Sequence, residues 1–199
     1  MRSTISICLA LAGLLAGSSC VSSKPVHFYT IQPPVAPATQ GKPDGPTLLV
    51  GDIATPAMLQ DGRLRYRIGA NEAGAYEYHR WTERPGLMVH ISLLRALEAS
   101  GRYRRVMEAG SSATGDYLLR GKLLEFGEVD DGKIQTRIEL RVELVDRKTN
   151  SNVWERLIER EEPVGSKTVA DVVQSLDRNL QHVVSETAAE IDTFLGGGR

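Results

Sequence analysis

The tetrapeptide Gly165-Ser166-Lys167-Thr168 stands between a strand-like run and a helix-like run, where a glycine-rich loop would cradle a phosphate. Its spacing does not serve that chemistry. A phosphate loop needs Gly-Lys-Ser/Thr with a further glycine five residues before, so that bare N–H groups line the anion. Here Ser166 separates Gly165 from Lys167, Arg160 and Glu161 stand where the first glycine belongs, and Glu161 and Glu162 would repel an anion. The tetrapeptide therefore reads as a helix N-cap. The four histidines, His27, His79, His90 and His182, show neither HxH nor HExxH spacing, so no local motif holds a metal and none implies a cofactor. Asp130-Asp131-Gly132 lacks the alternating oxygen ligands of a calcium loop and reads as a hairpin turn. No GxSxG or SxxK is present, and the chain is expected not to be an enzyme.

Two places remain where residue type and position carry information. Tyr76-Glu77-Tyr78-His79-Arg80-Trp81-Thr82-Glu83 is the densest concentration of aromatic and ionisable groups. Tyr, Arg and Trp supply binding hot spots, so Tyr78, Arg80 and Trp81 are the candidate partner-binding residues. In the competing reading, Trp81 caps the core beneath a helix and Arg80 pairs with a carboxylate. The other place is Cys20. Arg2, an apolar run from Ile5 to Gly17 and then Ser18-Ser19 have the layout of an export signal, too short to span a membrane as a helix. The run ends at Cys20 after Ala16-Gly17-Ser18-Ser19, which resembles a bacterial lipobox whose cysteine becomes the acylated first residue of the mature chain. Plain secretion, with cleavage after Ala16-Gly17-Ser18, is the alternative. Both cysteines, Cys8 and Cys20, fall in the first twenty residues, which excludes a disulfide framework or thiolate site from the folded body.

Elements to position these residues are legible along the rest of the 199-residue chain, whose 41% hydrophobic and 25% charged content is that of a globular domain. The formal charge of -1, which becomes -2 when residues 1–19 and with them Arg2 are removed, argues against nucleic acid as a partner. Val26 to Ile31 is a short β-like run, followed by a connector with five prolines between Gln32 and Pro46. Thr47 to Ile53 reads as a buried strand, and Arg63 to Ile68 as a half-exposed one continued by Ala75 to Trp81. A helix is predicted over about Glu83 to Ser100, with Pro85 in its first turn and Gly101 past its end. Tyr103 to Met107 reads as a short strand. Three longer strands, Tyr117 to Phe126, Ile134 to Val145 and Asn152 to Arg160, read as an antiparallel meander. A final helix carries an apolar stripe from Val169 to Ile191, starts at Thr168 with Asp171 three residues on, and is ended by the glycines 196–198. The expected fold is α+β, an antiparallel sheet with two helices packed on one face. The expected organisation is a signal peptide over 1–19, a lipidated N-terminus with a short strand and Pro-rich connector over 20–46, an α+β domain over 47–195 and a tail over 196–199.

The order of these features is similar to the PqiC-type family, the ABC-type transport auxiliary lipoproteins. The likeness rests on Cys20 after an export signal, Phe28-Tyr29-Thr30-Ile31 in place of the family's Tyr-x-Leu, the Leu59 to Tyr66 stretch, Tyr78-His79-Arg80-Trp81-Thr82-Glu83 before a helix, Leu144-Val145-Asp146 with Val153-Trp154, and the long last helix. It implies a periplasm-facing lipoprotein of the outer membrane, anchored by acyl chains on Cys20. The implied partners are an ABC transporter and MCE-type proteins that move lipids between membranes, in support of envelope integrity. It implies no ATPase or hydrolase activity, and a homo-oligomer is compatible with it. A structural or assembly lipoprotein scaffolding another outer-membrane complex is the alternative from a different class.

Overall fold

The computed structural model describes residues 24–32, 42, 44–110 and 112–197. The export-signal and Cys20 readings lie outside these residues. In chain order the elements are β1 (His27–Tyr29), β2 (Thr47–Ala54), β3 (Arg63–Ile68), β4 (Glu72–Trp81), α1 (Pro85–Ala99), β5 (Arg105–Glu108), β6 (Tyr117–Asp130), β7 (Ile134–Asp146), β8 (Ser151–Pro163) and α2 (Val169–Gly197). A 3-10 turn, Ala57–Leu59, links β2 to β3.

The α+β class with two helices is what the sequence pattern leads one to expect, but the sheet is mixed. Only β3–β4, β6–β7 and β7–β8 pair antiparallel. β1 runs parallel to β4, and β2 runs parallel to both β5 and β6, as β3 does to β6. The antiparallel expectation came from the meander alone, whose hairpin turns announce their own pairing. β6 is the branch of the sheet. Along one edge its first half takes β2, from Leu48↔Tyr117 to Ala54↔Lys122, and its last residues take β3, from Tyr66↔Glu128 to Ile68↔Asp130. β7 covers its whole other edge.

Strict alternation along β7 explains the layers. Ile138, Leu140, Val142 and Leu144 are fully buried, whereas Arg137, Glu139, Arg141 and Glu143 form the outer face. Val172, Leu176, Leu180, Val183 and Ile191 of α2 pack on the inner face with Val89, Leu93 and Leu97 of α1. The two helices also touch each other. Thr168 begins α2 as a capping box would: its hydroxyl oxygen accepts the Asp171 N–H at 3.2 Å, and the Asp171 carboxylate accepts the hydroxyls of Thr168 and Ser166. These bonds hold the Asp171 carboxyl below its ordinary pKa. The helix runs to Gly197, within the glycines expected to end it, with Leu195 packed against the core.

A buried polar cluster sets the height of α2 on the sheet. Thr136, Ser175 and Asn179 are all inaccessible or nearly so. The Thr136 and Ser175 hydroxyls lie 2.8 Å apart, Ser175 donates to the Glu162 carbonyl, and Asn179 Nδ2 donates to the carbonyls of Thr136 and Arg160. Sliding the helix by one turn would leave each of these groups unpaired in the core. The short β-like run expected before the connector joins the fold, since β1 pairs in the sheet and Ile31 is buried in the core.

The branch at β6 depends on Gly127. A Cβ there would sit 2.6 Å from the Arg65 carbonyl oxygen of β3, a backbone atom that cannot swing aside. Gly127→Ala should therefore force β3 away from β6, with an expected loss of about 1–3 kcal/mol, the scale of overpacking in a close-fitted interior. An urea midpoint equal to that of the parent chain would show that the strands separate without cost.

Candidate functional site

The corner formed by β1 and β4 holds the candidate residues of the Tyr76–Glu83 segment. β1 lies parallel to β4 in the register His27↔His79, Phe28↔Arg80, Tyr29↔Trp81. Alternation sends the members of each pair to one side together. On the inner side Trp81 is 4% exposed and meets Phe126 edge-to-face, ring centroids 5.6 Å apart. Beside it the rings of His27 and His79 stack at 5.2 Å, and the Tyr29 hydroxyl lies 2.9 Å from His79 Nδ1. Burial, with His27 adding to it, lowers the pKa of His79. Tyr76 turns its ring edge toward His79 and donates its hydroxyl to Glu128 at 2.7 Å. Burial and that carboxylate push the Tyr76 phenol well above its ordinary range.

The outer side is different in character. Phe28 is 63% exposed and Val26 42%. Arg80 is Phe28's register partner, and Lys24 places its ammonium 5.6 Å from the centre of the Tyr78 ring. The neighbouring strand contributes Arg63, opposite Arg80, and Arg65; both bind the Asp61 carboxylate at 2.7 Å. The three candidates thus divide. Trp81 faces the core, while Tyr78 and Arg80 lie on the outer side, and among the described residues Arg80 makes no side-chain ion pair or hydrogen bond. The carboxylate partner considered for Arg80 is not seen there.

Sequence reasoning missed what surrounds this corner. Phe28 stands in a β-like run and in the family-like Phe28-Tyr29-Thr30-Ile31, but its pairing with Arg80 joins residues 52 positions apart. The lattice of ion pairs over the outer face of β6–β8 was likewise beyond local pattern. Arg137 sits at its centre, with Glu125, Glu159 and Glu161 at 3.1, 3.0 and 2.9 Å. Partial burial pulls the Arg137 pKa down, but these carboxylates outweigh it and hold the guanidinium more firmly charged. Elsewhere, a cleft of about 640 Å³ opens at the start of α1 beside Asp52, Thr55, Glu83 and Arg84. His90 lines it and donates from Nδ1 to the Gly51 carbonyl at 2.9 Å. Among the described residues no group of three or more His, Cys, Asp or Glu side chains is placed to hold a metal ion.

The model of one family, the ABC-type transport auxiliary lipoprotein component, matches residues 29–188, from the last residue of β1 into α2. The chain belongs to that family. As an auxiliary lipoprotein component it is assigned to ABC-type transport and to membrane-anchored proteins. Solved structures share the fold. A Xanthomonas campestris protein superposes with a TM-score of 0.77 at 21% identity, over 86% of this chain and 97% of that one. An uncharacterised protein gives 0.67 at 16% identity, over 84% and 99%. A hypothetical protein from Chlamydia trachomatis gives 0.53 at 9%, over 80% and 100%. No curated protein matches the sequence. For this auxiliary lipoprotein component, the corner carrying Phe28, Tyr78 and Arg80 is the end of the described domain that lies nearest in sequence to Cys20.

Proposed function

We propose that this auxiliary lipoprotein is a periplasm-facing subunit of an ABC/MCE-type system that moves lipids between membranes. It is held to the outer membrane by acyl chains on Cys20, supports envelope integrity and performs no catalysis of its own. The family match across residues 29–188 carries this reading. Two further observations support it. No helix among the described residues is long and apolar enough to cross a membrane, and an acylated cysteine would supply an anchor without one. Val21 follows Cys20, without the aspartate that retains lipoprotein cargo at the inner membrane in well-studied bacteria. The half-buried Tyr78 and Arg80, backed by buried Trp81, are the contact residues of the proposal.

Cys20→Ser should give an exported chain that is released from membranes, because one anchor is proposed and the substitution removes it. Fractionation after a high-salt wash measures this, and a processed variant that stays membrane-bound would place the tether elsewhere. Capture of the tagged chain from detergent-solubilised envelope tests the assembly. ATPase, permease and MCE subunits should co-purify. A reproducible set of other outer-membrane proteins in their place would overturn the transport role.

A further inference from the structure

We propose that the outer face of the β1–β4 corner is a lipid-contact surface, seated on the headgroups of the bilayer that holds the acyl chains. The inference rests on the acylation reading of Cys20 and assigns the occupant of the contact site just described.

Reach comes first. Four residue steps separate Cys20 from Lys24, and an extended chain covers at most about 3.5 Å per step, so Lys24 lies within about 14 Å of the anchor. β1 begins three residues later, at His27. The first folded strand is therefore held beside the membrane by covalent length alone.

Its composition matches that position. Val26 and Phe28 alternate onto the same side, 42% and 63% exposed, and present adjacent apolar side chains to the outside. Cations flank them. Arg80 is the register partner of Phe28, Lys24 lies over the Tyr78 ring, and Arg63 stands opposite Arg80 with Asp61 as its carboxylate, a local positive excess on a mature chain whose formal charge is -2. Arg63 and Arg80 stand directly opposite each other on neighbouring strands; Asp61 holds Arg63, whereas among the described residues Arg80 has no side-chain ion pair or hydrogen bond, so an anion from outside would relieve the like-charge repulsion. Anionic headgroups provide such anions, and an apolar residue flanked by Lys and Arg suits the boundary between headgroups and acyl chains. A protein subunit would also meet an exposed aromatic, yet it would not explain why the patch lies within tether length of the anchor.

The test uses the full mature chain carrying Cys20→Ser, so that binding does not depend on acyl chains. It is sedimented with vesicles of phosphatidylethanolamine containing about 30% phosphatidylglycerol, and with neutral phosphatidylcholine vesicles. Binding to the anionic vesicles, weakened by salt, is expected. Arg80→Ala should reduce it about fivefold and Phe28→Ala about tenfold. Leu157→Ala, at a similarly exposed apolar residue on β8, should change nothing. Unshifted thermal midpoints of Phe28→Ala and Arg80→Ala would show that these variants remain folded. Equal sedimentation of parent and variants, or no sedimentation of the parent with anionic vesicles, overturns the proposal. So does loss of subunit capture by Arg80→Ala with vesicle binding intact, which would give the face to a protein. Anchoring is read separately: release of the wild-type chain from cell membranes would refute acylation and leave the vesicle result standing.

Discussion

Trp81→Ala is expected to cost the fold about 3–5 kcal/mol, the range for emptying a buried aromatic site. The indole is 4% exposed and packs edge-to-face on Phe126 of β6, on the far side of β3, so its removal leaves a cavity in the core beneath these strands. For a domain of this size the thermal midpoint should fall by roughly 6–20 °C. Arg80→Ala, one residue away on the opposite side, should cost no more than about 1 kcal/mol, since Arg80 makes no side-chain ion pair or hydrogen bond among the described residues. Melting curves of the two purified variants decide the matter. Similar small shifts in both would mean that Trp81 is not part of the core, and a large shift in both would mean that Arg80 is structural.

Leu176→Asp should be at least as damaging. Leu176 is 1% exposed, one turn from both Val172 and Leu180, and faces the buried side of β7. A carboxylate there has no cation to pair with, and an unpaired buried charge typically costs about 3–5 kcal/mol. Against a total stability of about 5–15 kcal/mol, such a loss puts a visible fraction of the chain in the unfolded state. The urea midpoint should drop sharply, and more at pH 7 than at pH 4, where the new carboxyl is partly neutral. A midpoint equal to the parent's would show that the stripe of α2 is a contact surface instead of core.

How much of this was legible in the sequence depends on the range of the interaction. β7 was readable because each apolar residue from Ile138 to Leu144 alternates with a charge, and α2 because its stripe repeats at helical spacing. The Asp130-Asp131-Gly132 turn was readable because it needs a residue at positive φ, and Gly132 has φ 93°. The parallel pairing of Val50 with Leu119 left no local trace, since nothing in either segment states which distant strand lies beside it. The same holds for Tyr103, whose hydroxyl donates to Asp192 at 2.6 Å across 89 positions. The candidate site was half legible. Its aromatic and ionisable residues stood out as a cluster, but the sides they take could not be read. Register in β4 shifts between the partners of Arg63 and Arg65, so counting alternation from Ala75 does not give the side on which Trp81 falls.

The short pairing of β1 determines how the molecule carries mechanical load. A pull arriving through the chain before Lys24 enters the domain across three register pairs and the bond from the Thr82 N–H to the Tyr29 carbonyl, whereas β6 and β7 are joined along nearly their entire lengths. Under tension the first rupture is expected at β1. The strand would peel away and lengthen the leash between anchor and domain, while the α2-covered sheet stays folded, so that β1 acts as the molecule's fuse.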